Sequence, residues 1–203
     1  MRTRTVRDTE ITLPSDDTAV LDPVTAVPRP GERVSDRLLA GGAWARATIA
    51  DTMISHCWLT DADLNATTLT NVTIERCVIT GSTLQGAHWD TVTLKDVVFE
   101  KCRFDYATLT NLTTRGPVAF LGSSFIETTF ADCTMTRAVF DTCRLGGLEL
   151  ERCTLRGADL RGNDLAGLAA ATVLHGVTLS ADQLPALTQR IVHELDITVT
   201  ADR

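Results

Sequence analysis

The stretch Phe120-Leu121-Gly122-Ser123-Ser124-Phe125-Ile126-Glu127-Thr128-Thr129-Phe130-Ala131-Asp132-Cys133-Thr134-Met135 decides the fold, because a large apolar side chain returns at every fifth residue with a small one two places ahead of it. An α-helix repeats every 3.6 residues and a strand every two, so neither accounts for a period of five. The spacing continues through Phe140 to Leu165, and it runs in the other direction from Leu109 back to Trp44, with a one-residue slip between the two runs. All six Phe of the chain fall on these twenty-four centres. The residue two places before a centre is Gly, Ala, Ser, Thr, Cys or Val except at Leu148 and Asn163. Fixed-period self-similarity of this kind means a solenoid, in which each unit buries its apolar side only by stacking on its neighbours.

Within that pattern, Ala62-Asp63-Leu64-Asn65-Ala66, Ala158-Asp159-Leu160-Arg161-Gly162 and Asn163-Asp164-Leu165-Ala166-Gly167 resemble the A(D/N)LXX consensus of pentapeptide-repeat proteins. The resemblance implies an all-β fold, a right-handed quadrilateral parallel β-helix in which four pentapeptides make one square turn. Centre and small residue would point inward and the other three outward. Six turns at strand spacing give a rod about 29 Å long. The slip falls between Thr110 and Ala119, where Gly116-Pro117 supplies a bend and room for one extra residue, a bulge rather than a domain boundary.

Three segments are expected. Residues 1–40 form an N-terminal arm or cap with a short strand near Glu10 to Leu13 and with Pro14, Pro23, Pro28 and Pro30; such an arm could cover the open first coil, whose backbone would otherwise be unpaired. Residues 41–168 form the β-helix. Residues 169–203 carry a helix capped by Ser180 or Asp182, with Leu184, Leu187, Ile191, Val192 and Leu195 on one face, followed by the strand-like alternation Asp196-Ile197-Thr198-Val199-Thr200. This module can close the last coil, or pair two copies through Leu184, Leu187, Ile191 and Leu195. Pairing of that kind is what the resemblance to gyrase-protecting relatives implies.

Composition narrows the partners. A formal net charge of -7 argues against direct binding of nucleic acid, which needs a basic footprint, and permits a basic partner or a surface that normally receives DNA. No apolar run is long enough to span a bilayer and no signal segment opens the chain, so a cytoplasmic location is expected. The six cysteines all occupy small inward positions with no CxxC pair, which reads as core filling rather than a metal or disulfide framework. No catalytic motif surrounds His56, His88, His175 or His193, and neither a cofactor nor an enzyme activity is expected.

With twenty residues per turn, outward side chains sort into columns. The face on Ile49, Leu69, Trp89, Leu109, Phe130 and Leu150 carries Asp51, Asp90, Asp132, Glu149 and Glu151 against Arg152, among many threonines. The next face leans basic, with Arg76, Lys95, Arg115, Arg137 and Arg156. On the third, Trp58, Val78, Val98, Ala119 and Val139 form an apolar ladder. Such a ladder is a partner interface, or a surface covered by the N-terminal arm or a C-terminal element, or simply a run of β-branched residues that suit a strand. By resemblance, the expected function is that of a DNA-mimicking protein that binds type II topoisomerase (gyrase), modulates or protects it, and confers antibiotic or toxin resistance through the acidic column. The alternative is a non-catalytic structural or protein-interaction module.

Overall fold

The structure, a computed structural model, describes residues 1–15, 18, 21–24, 26–41, 44–168 and 173–200. Its body is a parallel β-solenoid of about six turns. Leu69 pairs in parallel with Ile49 before it and with Trp89 after it, and the ladder continues through Leu109 and Phe130 to Leu150. Two further faces share a second, longer sheet. Its eight-residue strands Thr73–Thr80 and Thr93–Glu100 run through a corner and pair with each other along nearly their whole length. The fourth face, on Leu64, Leu84, Phe104, Phe125 and Leu145, is joined by single bridges such as Thr83 with Arg103.

The corners explain how a chain can turn every five residues. The residue two places after a centre sits in the left-handed region, as at Asp51 (φ 53°), Asp61 (49°), Asn71 (53°) and Asp132 (55°). Asp and Asn tolerate that conformation better than most side chains, and they recur there.

Inside, stacking follows the strand spacing. Phe99, Phe120 and Phe140 lie ring on ring with centroids 5.0 and 4.8 Å apart, and Phe104 stacks on Phe125 at 4.9 Å. These distances match the ~4.8 Å between hydrogen-bonded strands, so an aromatic column keeps every ring in contact while every backbone bond forms.

The slip lies where the sequence places it. Leu94 pairs with Thr114, twenty residues on, whereas Val97 pairs with Val118, twenty-one residues on. The extra residue is therefore absorbed among Arg115, Gly116 and Pro117. A Cβ on Gly116 would stand 2.8 Å from Lys95 Cγ, which is why a glycine fits this corner.

The coil overruns both limits expected for it. Val34 pairs with Ile54 and Leu39 with Leu59, so strands Arg33–Ser35 and Arg37–Ala40 already belong to the solenoid. At the other end, the Gly157 N–H donates to the Gly176 carbonyl, nineteen residues on, and Asp159 bridges Thr178. One residue has been lost from the final turn, and Leu174 and Leu179 still pack against the core.

The N-terminal arm is a β-hairpin of β1 (Arg2–Val6) and β2 (Thr9–Leu13). It lies along the side of the solenoid rather than over the first coil. At the C-terminus, a 3-10 turn Ala181–Gln183 leads into α1 (Leu184–Glu194), with Pro185 in its first turn. Buried Gln183 fixes this junction. Its Oε1 accepts the N–H and hydroxyl of Ser180, and its Nε2 donates to the carbonyls of Leu160 and Asn163. The strand expected over Asp196 to Thr200 does not form: no described strand lies beside this segment to take its backbone bonds, and Ile197 and Val199 are 47% and 75% exposed.

Candidate protein-binding face

The apolar ladder proposed from sequence as an interface is covered by the chain itself. Val78, Val98, Ala119 and Val139 are buried beneath Val6, Ile11 and Leu13 of the hairpin, forming a second small core on the outside of the solenoid wall. Trp58 is half-buried at its edge, with Arg2 over its ring and its Nε1 donating to the Ser15 carbonyl at 3.0 Å. Ion pairs fasten the hairpin at its margins. Arg4 meets Glu100 at 2.8 Å, Arg7 meets Asp141 at 2.6 Å, and Asp8 meets Arg161 at 2.7 Å. Arg161 also grips Asp159 at 2.6 Å. Burial alone would push the Asp159 carboxyl up, but its bonds from the Arg161 guanidinium and backbone outweigh this and hold it below its ordinary range.

Among the described residues, none packs over the face opposite the hairpin. It is a six-stranded parallel sheet of three-residue strands whose outward columns are set by register. One column runs Thr48, Thr68, His88, Thr108, Thr129 and Glu149, and the other runs Ala50, Thr70, Asp90, Thr110, Ala131 and Glu151. Asp51 and Asp132 stand at the adjoining left-handed corner. All five acidic residues named from sequence are exposed on this one face, at its first, third, fifth and sixth rungs. Successive rungs are about 4.8 Å apart, so the carboxylates span roughly 24 Å along the rod.

Neighbouring rungs orient these carboxylates. Asn71 Nδ2 donates to Asp51 Oδ1 at 2.7 Å, and Asn111 Nδ2 donates to Asp90 Oδ1 at 3.0 Å. Thr129 donates to Glu149 at 3.2 Å. Arg152 grips Asp132 with two bonds of 2.7 and 2.8 Å and lies 3.7 Å from Glu151. The guanidinium holds the Asp132 carboxyl below its usual value. Sequence reasoning passed over Asn71 and Asn111, although both stand two places after a centre in the same column as Asp51 and Asp132.

The neighbouring basic face is uneven along its length. Glu75 takes both Lys95 and Arg76 at 3.0 Å, and the Lys95 hydrogen bond lowers the Glu75 carboxyl. Farther along, Arg115, Arg137 and Arg156 make no ion pair among the described residues. No helix of the described residues is long and apolar enough to cross a membrane. On α1, Leu187 and Ile191 are half-buried, while Leu184 and the following Leu195 are 52% and 60% exposed.

Among solved structures, two trypsin-treated forms of QnrB1, a plasmid-mediated fluoroquinolone resistance protein, align over 88% of this chain and 95% of theirs, at 15% and 14% identity, with TM-scores of 0.40 and 0.42. HetL, a pentapeptide-repeat protein involved in heterocyst differentiation regulation from the cyanobacterium Nostoc sp. strain PCC 7120, aligns over 75% of this chain and 85% of its own at 16% identity, with a TM-score of 0.29. No curated protein sequence matches the chain. Residues 123–162 match the family model of pentapeptide repeats in eight copies, and the same five-residue coil extends from Val34 to Leu179. Residues 123–162 are thus a run of pentapeptide repeats set within a parallel β-solenoid that keeps the same five-residue spacing.

Proposed function

We propose that this protein is a non-catalytic binding module whose bare acidic face docks on a protein surface that ordinarily receives DNA, with gyrase, a type II topoisomerase, as the partner. The observation that carries this reading is the segregation of charge. Asp51, Asp90, Asp132, Glu149 and Glu151 share one flat face with Arg152 as its only Arg or Lys, and the opposite face is sealed by the hairpin. Flatness matters because a rigid sheet presents its carboxylates at fixed intervals, as a phosphate backbone does, and needs no ordering on binding. Occupying the DNA-binding surface would modulate the enzyme or protect it from a drug or toxin that acts on the DNA-bound form.

In the same reading α1 pairs two copies. Leu184 and Leu195 offer exposed apolar surface at its two ends, and a self-complementary patch of this kind suits a two-fold dimer, which would place two acidic faces in one elongated body. The test is a gyrase supercoiling assay with and without a gyrase-poisoning drug. The protein is expected to inhibit supercoiling or to reduce drug-induced cleavage at micromolar concentration. Asp90→Asn, Glu149→Gln and Glu151→Gln together should weaken that effect, most at low salt. Absence of both effects overturns the topoisomerase reading and leaves a module for another protein partner.

A further inference from the structure

The six thiols are not equivalent. Four of them form two stacks on adjacent rungs, Cys57 with Cys77 and Cys133 with Cys153, while Cys102 and Cys143 have serine or asparagine above and below them. Five are buried, and Cys153 is the exception. It lines a cavity of about 340 Å³ together with Thr154, Leu155, Arg156, Val173 and His175. Beneath it Cys133 is 1% exposed. Thus a half-buried cysteine beside a cavity sits directly above a sheltered one.

We infer that Cys133 and Cys153 form a redox-modifiable pair, Cys153 being the site of attack on a small hydroperoxide and Cys133 the resolving thiol. Register prepares the pair. The Thr154 N–H donates to the Cys133 carbonyl at 2.8 Å, and the neighbouring Arg152–Asp132 grip locks the same two rungs from outside. At ~4.8 Å between rungs, their Cα atoms fall within the 4.4–6.8 Å span that a disulfide accepts. The hydrogen bond from the Cys133 thiol draws Cys153 below its ordinary value, reinforced by Arg152 and opposed by burial and Asp132. Cys133 itself is pushed up, as are Cys102, to about 12, and Cys143, to about 11, the latter two by burial. Cys57 is lowered in the same way by the Cys77 thiol, so access rather than ionisation sets Cys153 apart.

The chemistry balances in two steps. The Cys153 thiolate attacks one oxygen of the hydroperoxide; the S–O bond forms as the O–O bond breaks, and the departing alkoxide or hydroxide takes a proton. Cys153 is then a sulfenic acid. The Cys133 sulfur attacks it; the S–S bond forms, the S–O bond breaks, and hydroxide leaves with the Cys133 proton as water. Two thiols have lost two electrons, and the hydroperoxide has been reduced to an alcohol or water, plus a second water.

The stack of Cys57 and Cys77 is the internal control. It has the same rung spacing, with the Cys57 N–H 3.4 Å from Cys77 Sγ, but both residues are buried and no described cavity opens on them. The experiment exposes the folded full-length chain to a few equivalents of hydrogen peroxide, blocks remaining thiols in denaturant, and maps bridged peptides by mass spectrometry. A Cys133–Cys153 bridge should form at least tenfold faster than any other. In Cys133→Ala, Cys153 should stop at a sulfenic acid that a dimedone probe captures, and Cys153→Ser should show neither product. A chain that stays fully reduced, or one that bridges Cys57 to Cys77 as fast, overturns the inference. So does loss of peroxide-dependent dimedone labelling in Cys133→Ala while its melting temperature is unchanged.

Discussion

Two opposite walls of one solenoid, alike inside, have opposite fates outside. The wall on Leu59, Ile79, Phe99, Phe120 and Phe140 presents a tryptophan, three valines and an alanine just before its centres, and the hairpin seals it. The wall on Ile49, Leu69, Trp89, Leu109, Phe130 and Leu150 presents threonine, histidine and glutamate at the same places and stays bare. Inward residues therefore specify the coil, and a single outward column decides whether a wall joins the fold or faces a partner. Each aliphatic side chain fully buried under the hairpin contributes roughly 1.5–3 kcal/mol. The bare wall forgoes that stabilisation and keeps its carboxylates available.

The comparison breaks most sharply at its centre. Val98→Asp puts an unpaired carboxylate beneath the hairpin, at a site that is fully buried. Undocking of the hairpin limits the cost, so a loss of about 3 kcal/mol and a fall in melting temperature near 10 °C are expected. Newly protease-sensitive residues 1–15 would accompany it. Thr110→Asp, on the bare wall, should shift melting by no more than about 2 °C. Equal effects at the two sites would erase the distinction between the walls.

Acid should separate the walls next. The Asp159 carboxyl, which anchors Arg161 and through it Asp8 of the hairpin, titrates below its unfolded value. A depressed folded pKa contributes stability that is present above the unfolded value, about 3.9, and is lost as pH falls through the folded one. Asp96 acts in the opposite sense. Burial raises its carboxyl, so its contribution is present below the unfolded value and lost as pH rises through the folded one. Protection of β1 and β2 against hydrogen exchange, relative to the intrinsic rate at each pH, should therefore fall below about pH 4, and Asp159→Asn should abolish most of that change while costing roughly 3 °C at neutral pH.

The smallest effects belong to the bare wall itself. Asp90→Asn and Glu149→Gln should each alter stability by less than about 0.5 kcal/mol in urea titrations. Asp132→Asn should do little more, because a solvent-facing pair such as Asp132 with Arg152 contributes little to stability. Any larger loss would mean that the acidic column holds the coil together.

How much of this could be read in the sequence follows from the same physics. The period from Trp44 to Leu165 is legible because the interior accepts one large and one small side chain per five residues and little else. Val34 and Leu39 keep the five-residue spacing, but Glu32 and Arg37 occupy their small positions, so the two-point pattern misses the first turn. At the other end, one lost residue puts His175 where the period expects a centre and shifts the core positions to Leu174 and Leu179. The hairpin was half visible. β2 shows Ile11 and Leu13, but β1 has only Val6 as an apolar residue facing the wall, and its Arg4 finds Glu100 ninety-six residues away. The five acidic residues were legible as a column, while the asparagines that orient two of them required the register across rungs. The partial exposure of Cys153 was hidden because its position in the period is the same as that of the five buried cysteines.

The extra residue at Gly116 has a consequence for how this molecule can change length. Because one corner absorbs it, every position downstream keeps its compass bearing, and Asp132, Glu149 and Glu151 remain above Asp51 and Asp90. Insertion of a whole pentapeptide at the same corner would do the reverse. It would leave the core intact and rotate everything beyond it by a quarter turn, carrying three of the five acids around to an adjacent side. Direction in this chain is thus arithmetic modulo twenty, and a lineage could lengthen the rod freely by full turns while any other increment would redraw its surface.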